Sequence, residues 1–155
     1  MQRENSFLKY KFNDWLRDFT SLGNPLILLL IPFIALGNTS SYYKLLIALL
    51  VNEILCSTIK LVFHKPRPDG QAYKTILEKI DAGSFPSIHA SRITLVYLTL
   101  FDFTDHLLLK IVFLTVILIV MYSRVALKRH FWTDIIGGLI IGASIFFIFD
   151  NFINL

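Results

Sequence analysis

Charged residues and cysteine are both scarce in this chain of 155 residues. Charged side chains make up 17% of it, whereas roughly a quarter is usual for a soluble globular domain. The single cysteine, Cys56, excludes an internal disulfide, and its position inside an apolar run indicates a buried structural thiol. No cleavable signal peptide is evident in the charged, amphipathic first 24 residues. No polar stretch is long enough to bury a core of its own, so a separate water-soluble domain is not expected.

Apolar residues are abundant instead, at 55% of the chain with a mean hydropathy of +0.62. Several apolar runs approach the ~20 residues that span a bilayer as a helix, and they lack the alternation of β-barrel strands. The runs cover about residues 25–37, 42–63, 88–103, 107–126 and 131–153. We therefore predict an all-α integral membrane protein, one domain over residues 1–155 with about five transmembrane helices. The first run is short and contains Pro32, so its helix can span the bilayer only if it tilts little or if flanking residues extend it.

Two further segments have predicted roles. Residues 1–22 form an amphipathic segment that favours an interfacial helix in the headgroup region. Its apolar side chains at helical spacing are Phe7, Leu8, Phe12, Trp15, Leu16 and Phe19. Residues 64–86 are the long connection of the chain, with a helical pattern over 73–80, and long connections are often functional. We predict an active-site loop there, whose helical piece is either a cap over the site or a passive interfacial helix.

Three polar blocks interrupt the apolar chain where apolar runs begin or end. They are Lys60-x6-Arg67-Pro68, Pro86-Ser87-Ile88-His89 and Ser123-Arg124-x5-His130-x3-Asp134. If successive helices cross the bilayer in alternating directions, the first block ends the second helix and the second block begins the third. The third block joins the fourth helix to the fifth. All three blocks therefore meet at one membrane face.

The residue types in these blocks suit the binding of a phosphate. Arg67 and Arg124 can supply guanidinium forks and Lys60 a point charge. Ser87 is predicted at a helix N-terminus, where free N–H groups and the helix dipole favour an anion, although a plain N-cap also explains it. For the cations the alternative is snorkelling at the membrane interface, which accounts for Lys128 and Arg129 but poorly for cations inside matched blocks.

The two histidines suit phosphoryl transfer. His130 and Asp134 are four residues apart, so they share one helix face, and the carboxylate can fix the imidazole tautomer while the other ring nitrogen attacks. His89 begins a different helix and is the natural proton donor to a leaving alkoxide. A lone histidine at a membrane edge is more often structural, but two within phosphate-type clusters at one face favour catalysis.

The three blocks resemble the tripartite signature of the type 2 phosphatidic acid phosphatase family, K-x6-R-P, P-S-G-H and S-R-x5-H-x3-D, over roughly residues 41–150. The resemblance implies that His130 forms a phosphohistidine, that Asp134 orients it and that His89 protonates the leaving oxygen. It also implies catalysis without a metal or other cofactor, by positioning and charge stabilisation. The phosphate-binding residues that it implies are Lys60, Arg67, Ser87, the backbone of Ile88, and Arg124.

Ile88 departs from the family pattern, which has glycine in that position. The backbone N–H of Ile88 can still donate, but a β-branched residue does not readily adopt a positive φ. Because the third apolar helix begins there, we predict ordinary helical backbone at Ile88, with a side chain that shapes the substrate entrance.

Glu53 and a pair of glycines are the other notable features inside the apolar runs. A carboxylate within a membrane helix marks function or a polar partner, and we predict a structural, hydrogen-bonded role for Glu53 between helices. Gly138 and Gly142 form a small-x3-small pattern, which predicts close helix packing.

The predicted partners are membrane lipids and a lipid phosphate substrate, and the net charge of +4 is explained by headgroups or substrate rather than by nucleic acid. Candidate substrates are phosphatidate, phosphatidylglycerophosphate, undecaprenyl diphosphate and the 1-phosphate of lipid A. The alternatives are a phosphatase of a soluble ester and a non-catalytic lipid-phosphate-binding membrane protein. The sequence does not predict the oligomeric state.

Two arguments about which side of the membrane carries the site disagree. Of the 15 Lys and Arg residues, 13 fall on the predicted side of the site and only Lys44 and Lys110 on the other. The positive-inside rule then places the site in the cytoplasm. Bacterial members of the family often work on the outer face of the inner membrane, and on that resemblance we favour the periplasmic face.

Overall fold

The computed structural model describes residues 12–13, 15–18, 24–37 and 39–152. Six named helices follow one another along this part of the chain. They are α1 (Pro25–Leu36), α2 (Ser40–Val62), α3 (Ile76–Ala82), α4 (Ile88–Phe103), α5 (Leu107–Ala126) and α6 (Trp132–Phe152). The only β-type pairing within the described ranges is an isolated bridge between Pro66 and Gly83. The prediction of an all-α membrane protein is confirmed.

Polar residues set where the helices begin. Asn24 and Thr39 accept hydrogen bonds from backbone N–H groups in the first turns of α1 and α2, which satisfies donors that a helix terminus leaves open. Thr75 and Glu78 form a reciprocal capping box at the start of α3. This box explains why α3 begins at Ile76, and not at residue 73 as the apolar pattern predicts.

Three helices are long and apolar enough to cross a membrane, counted over the described residues. They are Ser40–Val62, Leu107–Ala126 and Trp132–Asn151, with Leu26–Leu36 as a shorter apolar helix. The 16 residues of α4 extend about 24 Å, which is less than the ~30 Å of a hydrocarbon core. Five apolar helices thus lie where the apolar runs predicted them, and their number as complete spans stays a prediction.

The short helix α4 is the centre of the bundle. It packs against α1, α2, α5 and, most extensively, α6. Two glycines of α6 permit that approach, since a Cβ atom at Gly138 would collide with the Ser87 carbonyl and one at Gly142 with the Ser91 carbonyl. The predicted close packing at these glycines is confirmed, and it brings the start of α4 against the start of α6.

The N-terminal segment is described only in part. Residues 12–13 and 15–18 are helical, with Leu16 buried and Phe12 and Trp15 exposed. This agrees with an amphipathic helix, while the remainder of the predicted interfacial helix over residues 1–22 lies outside the described residues. Its location in the headgroup region stays a prediction.

Candidate active site

The three polar blocks meet around one cavity of about 520 Å³, within the size range of small-molecule sites. The cavity lies between the end of α2, the start of α4, the turn from α5 to α6, and α3. The predicted residues that line it are Lys60, Arg67, Ile88, His89, Arg124 and His130. Ser87 and Asp134 are fully buried and are bonded to each other, with the Ser87 N–H donating to the Asp134 carbonyl over 3.0 Å. All eight predicted residues therefore belong to one assembly.

The turn after α5 presents His130 to the cavity. Lys128 adopts a left-handed φ of 57°, and the N–H groups of Arg129 and His130 both donate to the carbonyl of Arg124, a common way for a helix to end. The His130 Nδ1 lies 2.8 Å from the carbonyl oxygen of Ser84. Because a carbonyl only accepts, Nδ1 carries the proton and Nε2 keeps a lone pair.

Asp134 lies beside His130 without making that hydrogen bond. Its Oδ2 is 3.8 Å from the His130 Nδ1 and accepts a 2.8 Å hydrogen bond from the Phe131 N–H. Its Oδ1 is 2.6 Å from the Nζ of Lys65. The sequence predicted that the carboxylate itself would fix the imidazole. The structure assigns the hydrogen bond to Ser84 and leaves Asp134 at ion-pair distance.

The charge state of His130 follows from this setting. Burial lowers the pKa of His130, the Asp134 carboxylate partly offsets this, and the neighbouring charges of Arg124, Lys60 and Arg67 lower it further. The imidazole is therefore neutral at neutral pH, the form in which Nε2 can act as a nucleophile.

The three predicted phosphate-binding cations are buried, with exposures of 3% for Lys60 and 7% each for Arg67 and Arg124. Snorkelling to the interface, which leaves the charge in water, is therefore excluded for them. Lys60 donates to the carbonyl of Gly83 over 2.8 Å. The buried Nε atoms of Arg67 and Arg124 have no hydrogen-bond partner among the residues that the structure describes. Buried cations with unused donors are an incomplete arrangement that a bound anion would complete.

Arg67 also connects the site to the long connection. Its guanidinium donates to Gln71 over 3.1 Å and to Asp81 over 3.2 Å. Burial lowers the pKa of Arg67, and the charge of Asp81 opposes this. The Asp81 pKa is itself held below its usual value because the hydrogen bond from Gln71 and the charge of Arg67 outweigh the effect of burial. With Leu77 and Ile80 of α3 also lining the cavity, the connection forms one of its walls.

The start of α4 offers backbone donors. Ser87 caps the helix, since its hydroxyl accepts from the Ala90 N–H over 3.4 Å and its carbonyl accepts from the Ser91 N–H. This leaves the N–H groups of Ile88 and His89 for an anion. Ile88 has no positive φ and is the first residue of the helix. The prediction of ordinary helical backbone in place of the family glycine is confirmed.

The sequence analysis assigned no place in the site to Lys65, Arg92 or Arg129. Lys65 occupies an unspecified position of the first block, and Arg92 lies outside all three blocks. Arg129 was assigned to the interface, yet it lines the cavity and donates to Asp69 over 2.8 Å. Glu53 was expected to bond between helices, and the structure identifies its partner as Arg92 of α4. Each of these contacts joins residues that are far apart in the chain, so no local sequence pattern predicts it.

Comparisons with known proteins agree with this geometry. Residues 41–154 match the profile of the PAP2 superfamily. The fold is similar to that of the first transmembrane PAP2-type phosphatidylglycerolphosphate phosphatase from Bacillus subtilis, with 25% identity, a TM-score of 0.71, and coverage of 91% of this chain and 76% of that one. It is also similar to Aquifex aeolicus LpxE, with 21% identity, a TM-score of 0.73, and coverage of 91% and 86%.

A comparison with curated protein sequences gave no significant match. The profile nevertheless covers most of the chain, including all three polar blocks. The signature, the cavity that it surrounds and the matching fold agree with one another, and the chain belongs to the PAP2 superfamily of phosphatases.

Proposed function

We propose that this protein is a membrane lipid phosphate phosphatase that works through a phosphohistidine on His130, without a metal ion. The observation that supports this best is the surroundings of His130. Its Nδ1 is held by the Ser84 carbonyl, so its Nε2 is free, and it shares one cavity with three buried cations and His89. Phosphoryl transfer to histidine requires a neutral imidazole and nearby cations that neutralise the phosphate charge.

The first step is attack on the substrate phosphorus. Lys60, Arg67 and Arg124 hold the phosphate oxygens, assisted by the N–H groups at the start of α4. The Nε2 of His130 forms a bond to phosphorus while the bond to the lipid oxygen breaks. A proton on His89 passes to that oxygen, and the lipid alcohol leaves. The dianionic phosphate offsets the surrounding positive charge, which favours a proton on His89 when substrate is bound.

The second step releases phosphate. Water takes the place of the departed alcohol, His89 accepts its proton, and the oxygen attacks phosphorus as the P–N bond breaks. Inorganic phosphate leaves, and His130 returns to the neutral imidazole. Asp134 stabilises the positive charge that His130 carries in the intermediate, because its carboxylate lies 3.8 Å from Nδ1.

A lipid substrate is supported by where the cavity lies. It opens at the end of the membrane helices, and Leu77, which lines it, is 78% exposed. Val62, Phe63 and Ile76, which are close in the chain to lining residues, are 67%, 69% and 69% exposed. Such side chains suit an environment of acyl chains. The Bacillus subtilis protein is named for a lipid phosphate. Phosphatidate, phosphatidylglycerophosphate, undecaprenyl diphosphate and the 1-phosphate of lipid A are the candidates, and the proposed location is a bacterial inner membrane with the site at the periplasmic face.

The test is phosphate release from a panel of these lipids and from glycerol 3-phosphate as a soluble ester. Wild type should hydrolyse at least one lipid in the presence of EDTA, and His130→Ala should lose more than about a thousandfold in kcat, as removal of a covalent nucleophile does. His106→Ala, an exposed histidine away from the site, is the matched control and should behave as wild type.

Labelling with a ³²P-substrate separates catalysis from simple binding. Brief mixing at low temperature should leave acid-labile, alkali-stable phosphate on the wild type and none on His130→Ala. A preference for glycerol 3-phosphate would favour the soluble-ester phosphatase. If no substrate loses phosphate and no label is retained, the lipid-phosphate-binding alternative is left.

A further inference from the structure

Glu53 of α2 and Arg92 of α4 form an ion pair inside the cavity and outside the three motif blocks. The pair is bidentate, with Nε of the guanidinium against Oε1 and one terminal nitrogen against Oε2. Both residues line the cavity. The Glu53 side chain is 35% exposed and that of Arg92 is 14% exposed, so the pair faces the space that a substrate occupies.

The pair lies deeper toward the bilayer than the motif cations. Glu53 precedes Lys60 by seven residues on the same helix, which is about 10 Å along the axis. Arg92 follows His89 by three residues, which is about one turn, or 4.5 Å. A lipid phosphate held at His130 must direct its remaining atoms past His89 and toward the acyl region. The group joined to the scissile phosphate therefore extends toward Glu53 and Arg92, which line the same cavity.

Charge decides which groups this position accepts. Glu53 occupies two donors of Arg92 and neutralises its charge, leaving the other terminal nitrogen to donate to a neutral oxygen. The carboxylate can accept from a hydroxyl. A second phosphate in the same place would lie against the Glu53 carboxylate, and two like charges a few ångströms apart repel strongly in a partly desolvated site.

We propose that the Glu53–Arg92 pair determines specificity for phosphomonoesters whose leaving group carries ester or hydroxyl oxygens next to the phosphate, and disfavours diphosphates. This inference rests on the proposed function and narrows its substrate class. It favours glycerol-linked and sugar-linked monophosphates over a polyprenyl diphosphate. Without the charge of Glu53, Arg92 becomes a fourth cation, and the cavity gains a place for a second phosphate.

The kinetic test compares two lipids with the same acyl chains, phosphatidate and diacylglycerol diphosphate, in mixed micelles of the full-length protein. The quantity of interest is the ratio of their kcat/KM values for release of the first phosphate. Wild type should favour phosphatidate. Glu53→Gln, which keeps the shape and removes the charge, should shift the ratio toward the diphosphate by about tenfold or more, the size expected for a removed like-charge contact.

Two further variants identify the cause. The double variant Glu53→Gln with Arg92→Gln removes both charges and should return the ratio toward the wild-type value, because the gain depends on the released Arg92. Asp102→Asn also removes one carboxylate charge, ten residues and about 15 Å along α4 from Arg92, and should leave the ratio unchanged. An unchanged ratio in an active Glu53→Gln protein overturns the assignment, as does a shift that persists in the double variant.

Anion binding tests the pair separately from turnover. In a His130→Ala background, calorimetry measures the affinities for inorganic phosphate and pyrophosphate with and without Glu53→Gln. The substitution should tighten pyrophosphate about tenfold relative to phosphate, again from the released charge of Arg92. Equal changes for both anions, or no change, contradict the role of the pair. Absence of lipid hydrolysis by wild type would contradict the proposed phosphatase function instead, so the two failures are distinguishable.

Discussion

Two neighbours of His130, Ser84 and Asp134, have different roles in the site. The carbonyl of Ser84 sets the tautomer and the ring orientation, and it does so without a charge. Asp134 supplies charge at a greater distance, with its two carboxylate oxygens already bonded to Lys65 and the Phe131 N–H. The carboxylate is thus one half of an ion pair whose other half, Lys65, is not a residue of the family signature. Its orientation depends on that partner.

Lys65 should therefore act as a positioning residue. Lys65→Met leaves the buried Asp134 without its cation, and the loss of a charge-assisted hydrogen bond of about 1.5–3 kcal/mol should lower kcat/KM by about tenfold or more with little change in KM. Lys65→Arg, which retains the charge, should recover much of the activity. The matched control is Lys74→Met, because Lys74 is exposed on the same connection. Equal losses in the methionine and arginine variants would count against a charge-based role.

The protonation of His130 can be measured directly. Burial and three neighbouring cations lower its pKa from the usual 6.5, so the neutral nucleophile persists below that pH and the acid limb of kcat/KM should lie below it as well. Nitrogen NMR of labelled histidines, with His130 assigned by its loss in His130→Gln, reports the titration apart from ionisation of the substrate. A His130 that titrates at or above 6.5 would contradict the burial and charge argument.

Among the elements, α4 joins the groups that we propose for catalysis. Ser87 caps its N-terminus, its first turn carries Ile88 and His89, its next turn carries Arg92, and its flank lies against α6. The Ser91 hydroxyl on α4 also bonds to the buried Asn52 of α2. A shift of α4 would therefore move His89, the proposed proton donor, relative to His130. The distance between these two histidines is set by how closely α4 and α6 can approach.

Gly142 provides a test of that approach. In Gly142→Ala the new methyl group would collide with the Ser91 carbonyl and lie 3.0 Å from the Thr94 Cβ, and both neighbours belong to α4. Overpacking of this kind costs about 1–3 kcal/mol. We expect a lower melting temperature in detergent and a fall in kcat/KM. Ser144→Val adds more bulk on an exposed position of α6 and should change neither quantity much. A fully active and stable Gly142→Ala protein would show that the two helices can separate without consequence.

For the whole molecule, the membrane orientation decides which pool of lipid the site meets. Three of the 13 positively charged residues at the site end, Lys60, Arg67 and Arg124, are buried. Since the proposed mechanism gives these charges a chemical role, they weaken the positive-inside rule as a guide to topology. The periplasmic site that we propose is compatible with the charge distribution on this account.

Cysteine accessibility settles the orientation in spheroplasts. Lys74→Cys lies on the connection beside the site and Asp105→Cys in the turn at the opposite end, and both positions are exposed. The native Cys56 has no exposed surface and should not react. An impermeant maleimide should label Lys74→Cys directly and Asp105→Cys only after the membrane is permeabilised. The reverse order would place the site in the cytoplasm.

Much of the architecture was predictable from the sequence because its causes are local. Apolar runs with polar ends defined α4 and α5 at the observed residues, 88–103 and 107–126. Alternation of the helices placed the three blocks at one face. The apolar pattern placed the start of α3 at residue 73, whereas the Thr75 cap places it at Ile76.

The sequence by itself determined the membrane class, the helices and the motif residues at the cavity. Tertiary structure alone decided which groups bond to which. Ser84 reaches His130 across 46 positions of the chain, Lys65 reaches Asp134 across 69, and Glu53 reaches Arg92 across 39. Periodicity and capping act over a few residues, whereas these pairings exist only because the tertiary fold brings distant segments of the chain together. A buried charge is stable only when it is paired with a group that the fold places beside it. A local sequence pattern does not specify which group that is.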